Sequence, residues 1–111
     1  MAKSGNPVLI YTTFPSEAEA RRLGRELVER RLAACVNIIP GMTAIFEWEG
    51  RIDEAAEISM LIKTRRSLAS EVMAETKKLH PYTVPALLVV DIADADPAFA
   101  AWIDAQTGPE E

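Results

Sequence analysis

The chain has 111 residues, of which 49% are hydrophobic and 26% are charged, and its net charge at neutral pH is -5. This length suffices for one well-packed core and is too short for two ordinary domains. We therefore expect a single domain over residues 1–111 with an ordered core at about 7–106. A protein with a negative net charge is repelled by the phosphate backbone of nucleic acids, so general nucleic-acid binding is not expected.

The length of the N-terminal apolar segment and the number of cysteines indicate the cellular compartment. The apolar run near the N-terminus, Val8 to Tyr11, is too short for a signal-peptide core or a membrane span, so we expect a cytoplasmic protein that does not bind a membrane. A single cysteine, Cys35, permits no intrachain disulfide and excludes zinc and redox motifs built on paired cysteines. The fold must therefore depend on packing.

The first two predicted elements are a strand and a helix. Residues Pro7–Phe14 form a continuous apolar and β-branched run, typical of a central strand buried on both faces. Ser16 and Glu19 have the spacing of a capping box at a helix start. Apolar residues then recur at helical spacing, while opposite charges four residues apart indicate a solvated face. The predicted charge pairs are Glu17/Arg21, Arg22/Glu26, Arg25/Glu29 and Glu26/Arg30.

The next stretch, residues 33–63, predicts two long strands joined at Trp48–Arg51, where Gly50 can take the positive φ of a tight hairpin. Pro40 and Gly41 interrupt the first arm and predict a bulge. Each arm has about 14 residues and would extend about 45 Å, longer than a compact domain of this size, so the hairpin must bend or project. Because a projecting ribbon exposes apolar side chains, we expect the hairpin to be an oligomerisation element.

The remaining elements complete a known arrangement. Leu68, Val72, Thr76 and Leu79 indicate a second helix that ends at His80-Pro81. A fourth strand follows at Leu87–Ile92, and Asp96-Pro97 then begins a short C-terminal helix whose apolar face carries Phe99, Trp102 and Ile103. The order βαββαβ plus a helix predicts an α+β, ferredoxin-like fold: a four-stranded antiparallel sheet with two helices on one face.

Two side chains are the candidates for imidazole or thiol chemistry. His80 is the only residue with an ordinary pKa near neutrality, so it is either a bonded residue at the helix end or part of a binding site. Cys35 lies among small apolar residues and is expected to be a packed thiol. A Cys35/His80 nucleophilic pair would need a third orienting group, and the sequence shows no such triad signature.

Charged clusters leave alternatives open. The carboxylates near the hairpin tip form either a polar strand surface or a loose cation site; they are Glu47, Glu49, Asp53, Glu54 and Glu57. Lys63, Arg65 and Arg66 end the second arm and begin the next helix, and they could meet an anionic ligand or the acidic surface of a neighbouring subunit. Glycine-rich phosphate loops and the pattern of an RNA-recognition domain do not occur.

Six short strings resemble the divalent-cation tolerance (CutA) proteins in order and spacing, over roughly residues 8–105. They are Leu32-Ala-Ala-Cys-Val-Asn37, Ile39-Pro-Gly41, Trp48-Glu-Gly50, Leu61-Ile-Lys-Thr64, His80-Pro-Tyr82 and Val84-Pro85. The chain departs from the family pattern at Ala86, where many members have Glu, and at Thr12 or Thr13, where some bacterial members have Cys.

The resemblance implies a homotrimer of ferredoxin-like subunits, related in architecture to the PII signalling proteins, and an association with copper and other divalent cations. It also implies clefts between subunits, for which the matching residues are Trp48, Lys63, His80, Tyr82 and Pro85. The metal ligands would then be His80 and Cys35.

Three interpretations follow. The favoured one is a non-catalytic, trimeric protein that acts in divalent-cation tolerance by copper binding or signalling and whose small ligand or protein partner is unknown. The second is a small enzyme with His80 as general base and Lys63 or an arginine stabilising an anion. The third is a structural trimer that anchors a partner and has no metal site.

Overall fold

The computed structural model describes residues 6–108, which form a four-stranded sheet and three α-helices. The strands are β1 (Pro7–Phe14), β2 (Cys35–Trp48), β3 (Arg51–Arg65) and β4 (Leu87–Asp91), and the helices are α1 (Glu17–Glu29), α2 (Ala69–Leu79) and α3 (Pro97–Gln106). A short 3-10 turn, Arg66–Leu68, precedes α2. The prediction that Arg65 begins the second helix was wrong, because Arg65 still pairs with Pro7 of β1 and ends β3.

The sheet has the strand order β2-β3-β1-β4, and every neighbouring pair is antiparallel. Ile10 of β1 lies opposite Ile62 of β3 on one side and Val89 of β4 on the other, so β1 is a central strand, as predicted. The predicted α+β, ferredoxin-like arrangement is confirmed. Strands β2 and β4 form the edges of the sheet. Pro40, which has no backbone N–H to donate, therefore lies in an edge strand, where proline is tolerated, and not in an inner strand.

The core lies between one face of the sheet and helices α1 and α2. Alternate residues of the two central strands point into it, and fully burying each such side chain contributes about 1.5–3 kcal/mol. The largest members are Ile10, Phe14, Leu27, Met60 and Ile62. The other face of β1 is only half-buried in one chain, at Leu9 and Tyr11, so the prediction of burial on both faces holds for one face alone.

Helix α1 begins at the predicted cap. The Oγ of Ser16 accepts a hydrogen bond from the backbone N–H of Glu19 at 3.3 Å, whereas Glu19 Oε1 is buried without a partner among residues 6–108, so only half of the capping box is made. Two of the four predicted charge pairs form, Arg21–Glu17 at 2.7 Å and Arg30–Glu26 at 3.2 Å. The pairs Arg22/Glu26 and Arg25/Glu29 do not form; Arg30 instead reaches Glu75 of α2 at 2.9 Å.

Helix α3 packs against the sheet face opposite α1 and α2. Its cap is the predicted one, since the carboxylate of Asp96 accepts from Phe99 N at 3.0 Å. Packed structure extends beyond the predicted limit at residue 106: Thr107 is buried, and Gly108 exchanges two hydrogen bonds with Arg31. The polar ends, residues 1–6 and 107–111, were predicted to be frayed; Thr107 is instead buried, and residues 1–5 and 109–111 lie outside the described residues.

The hairpin of β2 and β3 has arms of 14 and 15 residues. Glu49 and Gly50 connect them with positive φ angles of 52° and 80°, as in a type I′ turn. The predicted bulge lies between Ile39 and Met42, where β2 contains one residue more than β3. Because side chains alternate along a strand, this extra residue reverses which face each later side chain of β2 occupies.

The hairpin projects, as its length predicted. The molecule measures 51 × 26 × 22 Å, and its radius of gyration of 14.9 Å exceeds the value of about 13 Å typical of this chain length. Beyond the bulge, one face of the hairpin carries Phe46 and Trp48 and the other carries Ile45 and Ile52. Ile45 is 66% exposed and Ile52 is 73% exposed. Among residues 6–108, no helix is long and apolar enough to span a bilayer.

Candidate functional site

The segment between α2 and β4, residues 80–86, is held against the end of β1 by His80. Pro81 disfavours a helical conformation for the residue before it, and His80 accordingly has the extended angles φ -79° and ψ 141° and ends α2. This conformation turns the imidazole inward, where it is 8% exposed and stacks on the Phe14 ring with centroids 4.3 Å apart.

Both ring nitrogens of His80 are engaged in hydrogen bonds. The backbone N–H of Tyr82 donates to Nδ1 at 3.1 Å, so Nδ1 is an acceptor. Nε2 lies 2.6 Å from the carbonyl oxygen of Thr13, which can only accept, so Nε2 carries the proton and donates. With one nitrogen accepting and the other donating, the ring joins the segment 80–86 to β1.

Tyr82 joins the same segment to the hairpin. Its hydroxyl donates to Glu57 Oε2 at 2.9 Å, across 25 residues of sequence. Burial, and then the adjacent carboxylate of Glu57, raise the pKa of Tyr82 above its ordinary value, because both disfavour the phenolate. The phenol consequently stays a neutral donor at physiological pH.

A groove of about 550 Å³ lies between this segment and one face of the hairpin. Its volume is in the range of sites that bind small molecules. It is lined by Thr13, Phe46, Trp48, Asp53, Ala55, Glu57, Tyr82, Thr83, Val84 and Ala86. Three of these side chains are aromatic and two are carboxylates, and none of the lining residues is basic.

The family assignment follows from comparison with known proteins. A model of the CutA1 divalent ion tolerance protein family matches residues 8–106. The chain belongs to this family. The divalent-cation tolerance protein CutA of Thermus thermophilus is 41% identical over 100 residues, covering 90% of this chain and 97% of the relative. The CutA of Archaeoglobus fulgidus is 44% identical over 95 residues, covering 86% and 92%.

Solved CutA structures have the same fold as this chain. Ehrlichia chaffeensis CutA1 superposes with a TM-score of 0.92 at 31% identity, covering 96% of this chain and all of that one. The protein from Archaeoglobus fulgidus, described as a periplasmic divalent cation tolerance protein, gives a TM-score of 0.87 at 42% identity over 90% and 97% of the two chains. The predicted CutA resemblance is thereby confirmed over nearly the whole chain.

The residues predicted to form the CutA cleft separate into two groups. Trp48 and Tyr82 line the groove, and His80 lies directly behind Tyr82 with ring centroids 5.2 Å apart. Pro85 belongs to the same segment and is half-buried, outside the lining. Lys63 lies elsewhere: its Nζ is 5.5 Å from the centroid of the Phe99 ring on α3.

Cys35 is remote from His80 in the chain described here. It pairs with Lys63, which in turn pairs with Leu9, whereas the His80 ring contacts Thr13 four residues further along β1. Four residues of strand span about 13 Å, before the sideways distance across β3 is added. A metal ion bound by both Cys35 and His80 of one chain is incompatible with this register, since each ligand atom must approach the ion to within about 2.3 Å.

The predicted acidic cluster is divided by strand alternation. Asp53 and Glu57 face the groove, whereas Glu54, opposite Ile45, faces the other side with Glu47. Among residues 6–108, no three His, Cys, Asp or Glu side chains are grouped to hold a metal ion. The loose cation site considered from the sequence is therefore not formed by these carboxylates.

The predicted cationic cluster has partners within the same chain. Arg65 lies 3.3 Å from the carboxylate of Asp104 and donates to the carbonyl of Thr107 at 2.5 Å. Arg66 pairs with Asp91. The contacts of Arg65 and Lys63 fix the C-terminal helix on the sheet, whereas the Arg66–Asp91 pair joins the turn before α2 to the end of β4. The three cations therefore do not converge on an anion site.

Sequence reasoning missed the elements that make the groove. Phe46 was not among the residues predicted for the cleft, and Glu57 was predicted only as one of the acidic residues near the hairpin tip. The signal for Phe46 was available, because Phe46 and Trp48 are two residues apart and so share a face. The contact of His80 with Thr13 had no sequence signal, since it is made by a backbone carbonyl 67 residues away.

Proposed function

We propose that this CutA protein contributes to divalent-cation tolerance as a non-catalytic homotrimer, without a preformed copper site at His80. Membership of the family supports the tolerance role. The observation that supports the absence of a copper site is the bonding of the His80 ring, whose acceptor nitrogen is occupied by Tyr82 N–H and whose other nitrogen donates to Thr13. Copper prefers imidazole and thiolate ligands, and this imidazole offers no free lone pair.

The same bonding argues against the enzymatic alternative. A general base needs an accessible lone pair within reach of the substrate proton. The lone pair of His80 faces the backbone of its own chain, and Lys63, the proposed anion-stabilising group, lies at the other end of β1. His80 and Lys63 are thus not in one site, which argues against the form of the catalytic interpretation that uses Lys63.

Exposed apolar surface supports association of copies. Ile45 and Ile52 lie on the hairpin face opposite the groove, and Leu88 of the edge strand β4 is 58% exposed. Phe99 and Trp102 of α3 stack on each other and are also exposed. Burying such side chains against another copy is favourable, and it removes a long hairpin from water. We propose that the hairpin of one copy packs on its neighbour in a trimer.

Two measurements test these proposals. Titration of metal-stripped protein with copper(II) in a calorimeter is expected to give no stoichiometric heat that depends on His80, whereas light scattering is expected to give three times the chain mass of 12.2 kDa. Stoichiometric micromolar binding that disappears in His80→Ala but persists in Cys35→Ser would refute the absence of a copper site. A monomer mass at micromolar concentration would refute the trimer.

We also propose a cytoplasmic location, which the unpaired thiol of Cys35 favours because reducing compartments keep thiols free. The relative from Archaeoglobus fulgidus is described as periplasmic, so the family does not decide the compartment. Fractionation of expressing cells tests this proposal, and recovery of the protein with periplasmic markers would contradict it.

A further inference from the structure

Helix α1 ends in a Schellman motif that contains an arginine where glycine is usual. The backbone N–H of Arg31 donates to the carbonyl of Val28 at 3.1 Å, and that of Leu32 donates to the carbonyl of Leu27 at 2.9 Å. Arg31 takes the left-handed position of the motif, with a φ of 60°, where any side chain is strained. Because arginine is locally unfavourable here, the contacts of its side chain indicate what this position does.

The Arg31 side chain holds the end of α3. Its Nε donates to the carbonyl of Gly108 at 2.7 Å, across 77 residues of sequence, and its Nη2 donates to the carbonyl of Ala105 at 3.0 Å. The backbone carbonyl of Arg31 accepts from the N–H of Gly108 at 2.9 Å. Cationic donors are favoured at the end of a helix, where carbonyls lack partners within the helix. Three hydrogen bonds thus join the end of α1 to the end of α3.

Arg65, at the end of β3, binds the same part of α3 from the other side. Its Nη2 donates to the carbonyl of Thr107 at 2.5 Å, and its Nη1 lies 3.3 Å from Oδ1 of Asp104. Gly108 has a φ of 85°, and a Cβ at this position would lie 1.9 Å from Nη2 of Arg65. Glycine is therefore required there by both backbone and space. We call Arg31, Arg65 and the segment 105–108 the C-terminal latch.

The latch determines where α3 lies on the sheet. Of the ten residues of α3, Ile103 alone is buried within this chain. Nearer the other end of the helix, the Phe99 ring stacks on Trp102 and lies 5.5 Å from the Nζ of Lys63. A cation is attracted to the face of an aromatic ring. The position of α3 therefore also sets the position of the Lys63 ammonium group.

We propose that Arg31 is a positioning residue: through the C-terminal latch it seats α3 on the sheet and thereby fixes Lys63, one of the residues predicted for the CutA cleft. When the latch is opened, α3 is expected to detach as a unit while α1 and the sheet stay folded. Every latch contact lies within one chain, so the inference depends neither on the trimer nor on the absence of a copper site.

Replacing Arg31 with glycine is expected to have different effects on two helices. Glycine relieves the strain at the end of α1, so protection of the amides there should be unchanged or increased. Loss of two charge-assisted hydrogen bonds should speed hydrogen exchange of the α3 amides about a hundredfold. Native-state hydrogen exchange measures both. Unchanged exchange in α3, or an equal loss of protection in α1, α3 and the sheet, would overturn the proposal.

The matched control is Arg30→Ala, which removes the neighbouring guanidinium. Arg30 bonds to Glu26 and Glu75 on α1 and α2 and makes no printed contact with α3, so exchange in α3 is expected to stay unchanged. If Arg30→Ala speeds exchange in α3 as much as Arg31→Gly, loss of one positive charge explains the effect and the latch is refuted.

The ε-methylene protons of Lys63 report on positioning itself. The ring current of Phe99 shifts their NMR resonance, and Phe99→Leu gives the resonance without the ring. Arg31→Gly is expected to move the Lys63 resonance toward the value in Phe99→Leu, whereas Arg30→Ala should leave it in place. An unchanged Lys63 resonance in a protein whose α3 exchanges faster would show that Arg31 stabilises the helix without positioning the lysine, and would overturn the proposal.

Two further variants separate the latch from contacts between subunits. Gly108→Ala displaces the Arg65 guanidinium and is expected to loosen α3 as well. Combined with Arg31→Gly it should add less than its separate effect, because both changes open one latch; full additivity would contradict this. The hundredfold effect of Arg31→Gly is also expected in an Ile52→Glu background with weakened association. An effect confined to the assembled protein would place the restraint between subunits and overturn the proposal.

Discussion

Replacing His80 with alanine tests the role assigned to this ring. The substitution removes two hydrogen bonds, each worth about 1 kcal/mol net, and a stacking contact with Phe14 worth about 0.5–1.5 kcal/mol. It also leaves a small cavity at a position that is 8% exposed. We therefore expect His80→Ala to lower the free energy of unfolding by about 3–4 kcal/mol, a large share of the 5–15 kcal/mol typical of a domain.

The assay is guanidinium unfolding at a fixed chain concentration, because association is linked to folding by mass action. Tyr82→Phe is the matched control: it keeps the backbone donor to His80 and removes only the phenol hydroxyl, so a loss of no more than about 1.5 kcal/mol is expected. If His80→Ala lowers the free energy of unfolding by less than about 1 kcal/mol, with the dependence on denaturant concentration unchanged, the imidazole does not hold the segment 80–86 to β1 as described.

Three further outcomes are expected. The unmodified protein should lose stability relative to Tyr82→Phe as pH rises above 10.0, since the pKa of Tyr82 is raised in the fold and the unfolded phenol ionises first; parallel pH profiles would contradict this. Gly50→Ala should cost about 1–2 kcal/mol in urea unfolding because its φ of 80° strains any residue with a Cβ, although space there is open; an unchanged midpoint would exclude the type I′ turn. The melting temperature should fall on hundredfold dilution, and Ile52→Glu should lower the assembled mass; a dilution-independent melting temperature and an unaltered mass would argue against hairpin-mediated association.

Local signals predicted most of the fold. The run Pro7–Phe14 gave the central strand to the residue, and the helix caps at Ser16 and Asp96 lie where their side chains predicted. These features depend on neighbours within a few residues of sequence. The end of β3 was misplaced because Arg65 continues a ladder with β1, a pairing between segments that are distant in sequence.

The site was less predictable because its contacts are long-range. The sequence identified Trp48, Tyr82 and His80 as candidates, yet it could not show that the His80 ring is saturated by Thr13 and Tyr82. Lys63 matched a family string, but its neighbour in space is Phe99 on α3, and no spacing rule connects the two. The sequence shows which side chains could act in a site. Tertiary packing decides which of them are already engaged in contacts within the fold.

The bulge at Pro40-Gly41 has an evolutionary consequence. Two residues of β2 lie there opposite the single residue Ile58 of β3, so loss of the Gly41 codon would leave Pro40 opposite Ile58 in a regular ladder. The pairing near Ile39 and the turn at Glu49-Gly50 could both be kept, and Phe46 and Trp48 would stay on the groove face. A one-codon deletion at any other position of this arm would instead shift the register or reverse the faces, so length variation in β2 is expected to be tolerated best at the bulge.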